Sequence, residues 1–461
     1  MLINRPLSLV VCLAAALALG ACQEQLRGGN ACPSLCPEQQ LGFQDTVFLA
    51  SEVIDTAVTL PGIPSIGTET QLLVARYAQN GDSVVSVAVF RFDSLVRQVP
   101  NDTTGNGVFV SVDSSFLQLV GTAPPTGLDT LYVQDTVTLS AYDVFVNAPD
   151  LDTALVHARF TGTPIGTLTL SRDSVVSLIK LGAGFQIPID TAFLSSQIVS
   201  GKRVWIGVSI SSSKNAQIAF GSQEGNAASM GTAARLYYKG HADTVVSIQE
   251  AASAGPTAFG PAIPALADYQ MTFQGAPAVP AGMLGVGGLP SNRTIIRFKF
   301  PAWLVDSTTT VVRANLELYQ APFYSFRADS DSLFMQPLVT VASPAVTDLS
   351  KVGILVLDPV AAAQSYFTGI LELKLPPVST ALDTIPLVRV SAGIPQNVIS
   401  FWRIKGNALQ RAIVLTLGAD GTFPKEGLEP RQLLFYGPSA APALQPRVHV
   451  SYVPHSSIGL P

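Results

Sequence analysis

The sequence predicts an all-β chain of two tandem antiparallel β-sandwich domains of the jelly-roll type, and three observations support this. Short runs rich in Val, Ile, Thr, Leu and Phe recur from residue 44 onward, as in β-strands. Turn-forming residues separate the runs, with 37 glycines and 33 prolines among 461 residues. Several strand patterns also occur twice in the same order, which indicates two copies of one architecture.

The composition excludes two classes of protein. Hydrophobic residues make up 48% of the chain, which is too much for wholesale disorder. Charged residues make up 13%, about half of the usual ~25%. The formal charge of −5 argues against nucleic acid as a partner, because phosphate binding requires a basic surface.

The first 22 residues resemble the signal peptide of a bacterial lipoprotein. Arg5 precedes an apolar stretch, residues 7–19, which is shorter than the ~20 residues of a membrane-spanning helix. The stretch ends in Leu19-Gly20-Ala21-Cys22, which is similar to a lipobox. The resemblance implies a signal peptide at residues 1–21, acylation of Cys22 and a membrane anchor. Gln23 in place of aspartate then implies the outer membrane. The alternative is a plain secretory signal with a chance cysteine.

Residues 22–40 are expected to form a lipidated tether, because they contain few core-forming side chains. Cys12 leaves with the signal peptide, so Cys32 and Cys36 remain as the free pair. In an oxidising periplasm they are expected to form a local disulfide, with free thiols as the alternative. A Cys-x3-Cys pair without nearby histidines is a weak metal pattern, and no metal or cofactor is predicted.

The remaining chain is predicted to be mainly strand. Residues 167–171 alternate between polar and apolar side chains, which is typical of a strand with one buried face. Three segments, residues 174–181, 190–200 and 358–367, are predicted to be short helices or turns.

Matched strand patterns divide the chain into two halves. We predict one sandwich at residues 41–240 and a second at residues 241–454. The alternative is that unrelated β-sandwiches share such patterns by necessity. The matched patterns are residues 72–74, 87–92, 135–142, 216–222 and 233–238 in the first half, and residues 283–286, 294–300, 312–319, 432–439 and 446–452 in the second.

The second half resembles DNRLRE, a repeated jelly-roll domain of secreted and surface bacterial proteins. The similar stretches are Leu284-Gly285-Val286-Gly287, residues 292–298, Arg313-Ala314-Asn315-Leu316-Glu317-Leu318 and residues 447–452. The first half matches more loosely, and the hexapeptide that names the family is absent from both halves. The resemblance implies a fold and, by analogy, an envelope role, and it transfers no catalytic residue.

No motif of enzymatic chemistry is found, so the chain is not expected to be an enzyme. His157 and His449 lie in strand patterns, His241 in the presumed linker and His455 in the tail, without zinc-ligand spacing. The sequence has no Gly-x-Ser-x-Gly elbow, P-loop or dinucleotide fingerprint. A glycan hydrolase is the less favoured alternative, and it would need two carboxyl groups about 5–9.5 Å apart.

Two polar loops and one aromatic loop are candidate ligand sites. Residues 101–106 and Asp329-Ser330-Asp331 fit a calcium site weakly and are interpreted as solvated loops. Ligand contact is predicted for the aromatic loop residues Phe323, Tyr324 and Phe326.

The tryptophans and three arginines are interpreted as structural. Trp205 is predicted to be in the core, Trp303 in the core or at its rim, and Trp402 in a structural position. A buried arginine must be paired, so carboxylates or carbonyl groups are expected beside Arg293, Arg297 and Arg313.

The sequence therefore favours a membrane-anchored lipoprotein of the cell envelope with a non-catalytic structural or binding role. Its expected partners are the membrane, through the lipid, and an envelope glycan or protein. The alternative is a carbohydrate-binding accessory lipoprotein, which would show a planar set of exposed aromatic rings on one sandwich face.

Overall fold

The computed structural model confirms a predominantly antiparallel β fold that resembles a pair of sandwiches. It describes residues 44–60, 70–79, 82–93, 95–99, 107–108, 111–122, 133, 135–145, 153–223, 233–240, 245–251, 268–275, 278–305, 309–321, 332–341, 371–374, 389–394, 411–417 and 427–454.

The elements of the first part of the chain are mostly strands, with four helices. They are β1 (Gln44–Leu49), α1 (Ala50–Val53), β2 (Ile54–Leu60), β3 (Gln71–Gln79), β4 (Asp82–Phe92), β5 (Gln98–Val99), β6 (Gly107–Val108), β7 (Val112–Val120), β8 (Val137–Asp143), α2 (Thr153–Phe160), β9 (Gly166–Leu170), α3 (Arg172–Leu181), β10 (Gly184–Pro188), α4 (Thr191–Ser200), β11 (Val204–Ser212), β12 (Ala216–Gly221), β13 (Arg235–Gly240), β14 (Val245–Gln249) and β15 (Asp268–Gln274).

The second part of the chain also consists mainly of strands, with one helix among its described residues. Its elements are β16 (Met283–Gly287), β17 (Arg293–Phe298), α5 (Ala302–Val305), β18 (Thr309–Tyr319), β19 (Ser332–Val341), β20 (Leu371–Lys374), β21 (Arg389–Gly393), β22 (Arg411–Leu417), β23 (Gln432–Tyr436) and β24 (Arg447–Pro454).

An N-terminal body forms from two sheets that enclose one core. The larger sheet has the order β12-β3-β4-β11-β8-β9, with β15 also pairing β4, and the smaller has the order β10-β7-β13-β14. Phe90 and Ile206 from the larger sheet meet Leu117, Phe185 and Leu236 from the smaller one in this core. Burial of these apolar side chains is the main stabilising contribution to the sandwich.

A C-terminal body has a corresponding construction. One sheet has the order β1-β24-β18-β21, the facing sheet has the order β2-β17-β22-β19-β20, and β16 pairs β23. Its core joins Phe298 and Ile413 to Leu316, Leu433 and Val448.

The pairing register repeats between the two bodies. Arg235 of β13 lies opposite Gln118 of β7, and Arg447 of β24 lies opposite Glu317 of β18. Each of these two strand pairs then shifts register at the corresponding place, four residues after the arginine. Matching bulges and registers show that β7 corresponds to β18 and β13 to β24.

The structure bears on the strand patterns matched in the sequence. β12 pairs β3 as β23 pairs β16, so the first, fourth and fifth matched patterns occupy corresponding places. The second pattern also fits, because β4 pairs β11 and β15 as β17 pairs β22 and β2. The match of residues 135–142 with 312–319 is wrong, since β8 lies in the larger sheet whereas β18 corresponds to β7.

Strand pairing crosses the predicted boundary at residues 240–241. β1 and β2 pair β24 and β17 of the C-terminal body, while β14 and β15 pair β13 and β4 of the N-terminal body. The two pairings that cross the boundary share a backbone hydrogen bond at equivalent positions. The Ala50 amide donates to the Pro446 carbonyl at 2.9 Å, and the Glu250 amide donates to the Ala234 carbonyl at 2.9 Å.

Two of the predicted helices are confirmed. α3 begins at the N-cap Ser171, and α4 begins at the N-cap Asp190, whose carboxylate accepts from the Phe193 amide at 2.7 Å. Each ends at a glycine in the left-handed conformation, Gly182 or Gly201. The predicted helix at residues 358–367 lies outside the described residues.

The helix α2 is a correction to the sequence analysis. His157 was expected on a strand, but it lies in α2 with an exposed side chain. Val156 and Phe160, one helical turn apart, face the larger sheet of the N-terminal body. Gly207 leaves room for the Phe160 ring, because a Cβ atom there would lie 2.4 Å from Phe160 Cζ.

Candidate binding surface

The outward side of the sheet β10-β7-β13-β14 is the most developed candidate site, and we call it the aromatic face. Alternation within β7 directs Leu117 and Leu119 into the core and leaves Phe116 and Gln118 on the outer side. The same alternation applies along the neighbouring strands. The outward positions of the four strands are Gly184, Gln186, Pro188, Asp113 at the register shift, Ser114, Phe116, Gln118, Val120, Arg235, Tyr237, Lys239, Val245, Ser247 and Gln249.

Two aromatic rings lie next to each other at the centre of the aromatic face. Phe116 and Tyr237 are directly opposite in the register of β7 and β13. Their ring centroids are 4.8 Å apart and their planes differ by 16°, so the rings stack. On the other side of β13, the residue opposite Tyr237 in the register is the small Ser247 of β14.

A guanidinium group lies next to Ser247, the residue opposite Tyr237. Arg235 reaches across to β14 and donates to Ser247 Oγ at 3.4 Å and to Gln249 Oε1 at 3.1 Å. Gln249 in turn donates from Nε2 to Gln223 Oε1 at 2.5 Å. These bonds hold the guanidinium and amide groups in a fixed row next to the tyrosine ring.

The electrostatic character of the aromatic face differs from that of the whole chain. Arg235 and Lys239 flank Tyr237 along β13, and the one carboxylate of the four strands, the exposed Asp113, lies at the register shift opposite Lys239 and Gly240. The chain as a whole has a formal charge of −5. A flat apolar ring, amide groups and two cations can together bind a sugar ring through stacking and accept anionic or hydroxyl substituents.

The corresponding positions of the C-terminal body carry different chemistry. Asn315 and His449 occupy the places of Phe116 and Tyr237. His449 Nε2 lies 3.0 Å from a carboxylate oxygen of Glu317, and this carboxylate also accepts from the hydroxyl of Tyr319. The fold therefore does not require aromatic residues at these positions.

A second aromatic cluster lies on the outer side of the larger sheet of the N-terminal body. Trp205 contacts Tyr269 at 6.1 Å with planes 61° apart, and the Arg91 guanidinium lies 5.5 Å from the Trp205 ring. Burial raises the pKa of Tyr269 well above its usual range. Tilted rings and a fully buried tyrosine make this cluster a packing feature rather than a planar platform.

The tryptophans occupy different environments. Trp205 was predicted to be in the main core, but it lies half-buried on the opposite side of its sheet, in the second aromatic cluster. Trp303 lies at the rim as predicted, 41% exposed and 5.1 Å from the Tyr452 ring. Trp402 lies outside the described residues.

The predicted ligand, lipidation and disulfide residues cannot be placed in this arrangement. Cys22, Cys32 and Cys36 lie outside the described residues, as do Phe323, Tyr324 and Phe326. The same holds for His241, His455 and the two loops considered for calcium, residues 101–106 and 329–331. These assignments stay predictions.

The arginine interpretation is confirmed most clearly at one position. Arg297, whose side chain is 7% exposed, pairs its Nε with Asp55 Oδ2 at 2.6 Å. Arg313 is exposed and bonds Asn315, and Arg293 is half-buried. His449 lies on strand β24, as its pattern predicted.

Neither a cluster of metal ligands nor a membrane-spanning helix occurs among the described residues. Among the placed side chains, no group of three His, Cys, Asp or Glu residues could hold a metal ion. Of the helices that the structure describes, none is long and apolar enough to cross a membrane.

Comparison with known proteins gives no family. No protein-family model matches the chain, and no curated protein matches it. Among solved structures, the chain is similar at 7% identity to one described as the structure of infectious bursal disease virus Gt strain, over 88% of this chain and 77% of that chain, with a TM-score of 0.11. A second, the crystal structure of the infectious bursal disease virus VP2 subviral particle, gives 7% identity, 88% and 78% coverage and the same TM-score of 0.11. TM-scores this low carry no argument, and the DNRLRE resemblance stays a prediction.

Proposed function

We propose that the chain is a lipid-anchored, non-catalytic binding protein of the bacterial outer membrane. The tetrapeptide Leu19-Gly20-Ala21-Cys22 supports the anchor, and Gln23 supports the outer membrane. Several acyl chains, each worth ~0.8 kcal/mol per buried methylene group, exceed what stable anchoring requires. The tether at residues 22–40 would then hold the β-sandwich bodies at the membrane.

The binding role rests on one observation, the aromatic face. A sheet surface with a stacked ring pair and a fixed guanidinium–amide row is suited to recognition. No described residue of this surface is arranged for bond cleavage, and its polar groups bind and orient a ligand.

Metabolic labelling with palmitate tests the anchor. We expect label in the wild-type chain and loss of label in Cys22→Ala, because only that thiol can receive the lipid. Cys12→Ala is the matched control and should keep the label, since Cys12 is removed with the signal peptide. Label retained in Cys22→Ala, or absent from the wild type, would contradict the anchor.

Carbohydrate binding is the second candidate function, and the stacked rings of Phe116 and Tyr237 near the Arg235 guanidinium favour it. We expect the chain from Gln23 onward to bind acidic saccharides on a glycan array, because the cations Arg235 and Lys239 flank the ring. Tyr237→Ala should abolish binding, whereas Trp303→Ala, which removes an exposed ring at a different surface, should not. Equal binding by both variants, or binding to no saccharide, would refute this function and leave a protein partner.

A further inference from the structure

The segment Gln44–Leu60 joins both sheets of the C-terminal body, and we call it the N-terminal strand pair. β1 pairs β24 in one sheet, and β2 pairs β17 in the other. Phe48 and Val53 enter the core of this body, and Leu60 enters a second apolar cluster with Ile295. The C-terminal sandwich is therefore complete only with these strands in place.

Polar contacts fix the position of the N-terminal strand pair. Asp55 pairs with Arg297, and Thr59 Oγ1 accepts from the Gly285 amide at 2.9 Å. The Lys299 amide donates to the Val53 carbonyl at 2.7 Å. Strand pairing, hydrogen bonds and apolar packing all join this segment to the C-terminal body.

In the N-terminal body, the strands equivalent to β1 and β2 come from the adjoining part of the chain. β14 follows its partner β13 after residues 241–244, and β15 then pairs β4. In the C-terminal body, β1 and β2, which precede the N-terminal body in the chain, occupy the corresponding places beside β24 and β17. Asp45 and Ser451, which are paired in the register, are 406 residues apart.

We propose that the same edges of the C-terminal body bind the N-terminal strand pair of a second copy of this chain. The contacts of β1 and β2 would be identical within one chain and between two chains, so only the connection differs. That connection, residues 61–70, contains Pro61, Gly62, Pro64 and Gly67 and can span up to roughly 35 Å. Reciprocal exchange gives a closed dimer, and head-to-tail exchange gives an open array. This inference is independent of the lipid anchor and of the proposed ligand.

Cysteine variants distinguish exchange from closure within one chain. The experiment uses two chains that start at Gln23 and carry Cys32→Ser and Cys36→Ser. One also carries Asp45→Cys, and the other Ser451→Cys. The two are unfolded together in urea, refolded and oxidised. Paired residues of antiparallel strands have Cα atoms about 4.5–5.5 Å apart, which suits a disulfide. We expect a disulfide-linked heterodimer whose yield rises with protein concentration, identified by mass spectrometry of the linked peptides.

The N-terminal body provides a matched control. Lys239 and Val245 occupy the equivalent register positions of β13 and β14, but the short link between these strands favours closure within one chain. A mixture of Lys239→Cys and Val245→Cys chains should give at least tenfold less heterodimer. Equal yields in the two mixtures, or no heterodimer in the first, would overturn the proposal. Failure of an Asp45→Cys/Ser451→Cys double variant to cross-link at low concentration would also overturn it, because the β1–β24 pairing would then be wrong.

Discussion

The buried ion pair between Glu429 and Arg431 allows a sharp test of the packing. The Arg431 backbone amide and Nε donate to Glu429 Oε1 at 2.9 and 2.8 Å, and Nη2 donates to Oε2 at 2.8 Å. The two side chains are 2% and 1% exposed, so solvent does not screen them. Removing one partner leaves the other charge buried without its counter-charge, which lowers the free energy of unfolding by about 3–5 kcal/mol. We expect this loss in Arg431→Met.

Urea unfolding followed by far-ultraviolet circular dichroism measures the effect. With a slope of about 2 kcal/mol per molar urea, a loss of about 4 kcal/mol lowers the midpoint by about 2 M. Arg172→Met is the control, because Arg172 and Asp173 are 3.9 Å apart with side chains 51% and 95% exposed. That variant should change the unfolding free energy by less than ~0.5 kcal/mol. Midpoints that fall equally in both variants would refute the reasoning.

Three further predictions concern single residues. Gly166→Ala should lower the thermal midpoint strongly, by the equivalent of about 1–3 kcal/mol, because a Cβ atom would lie 1.9 Å from a backbone oxygen of β10. Gly162→Ala, whose nearest atom is 3.4 Å away, should not. Asp190→Ala should cost about 1 kcal/mol by removing the N-cap of α4, whereas Asp190→Asn should cost less in the same thermal scan. Burial raises the pKa of Tyr238 from 10.0 to about 12, despite its backbone hydrogen bond. Its neutral form therefore contributes stability that is fully present below pH 10 and is lost as the pH rises towards about 12. In an absorbance titration at 295 nm, Tyr238→Phe should remove a late-titrating phenol, and an unchanged late phase would contradict the assignment.

Local patterns predicted local structure well. The alternating pattern at residues 167–171 corresponds to strand β9 (Gly166–Leu170), because the side-chain period of a strand is visible within five residues. The helical patterns at residues 174–181 and 190–200 correspond to α3 and α4. α2 was missed because a short run with Val156 and Phe160 fits either a strand or a helix when considered alone.

Long-range pairing could not be predicted in the same way. Phe116 and Tyr237 each lie in an ordinary strand pattern, and only the register of β7 and β13 brings their rings together. Alternation in residues 114–120 signals an outward Phe116 but does not identify the neighbour. The partners of β1 and β2 were likewise invisible, because strand sequences specify which face is buried more strongly than which strand is adjacent.

The pairing of the first described strand with the last one also sets an order of assembly during synthesis. β1 has no partner in its own chain until residues 447–452 have been synthesised, and at ~5–20 residues per second this is roughly 20–80 s after β1 itself is made. The N-terminal body, whose strands end at Gln274, can close well before that time. A chain truncated before β24 would therefore have a complete N-terminal body and an incomplete C-terminal body. Loss of the C-terminus would leave β1, at the opposite end of the described chain, without its partner strand.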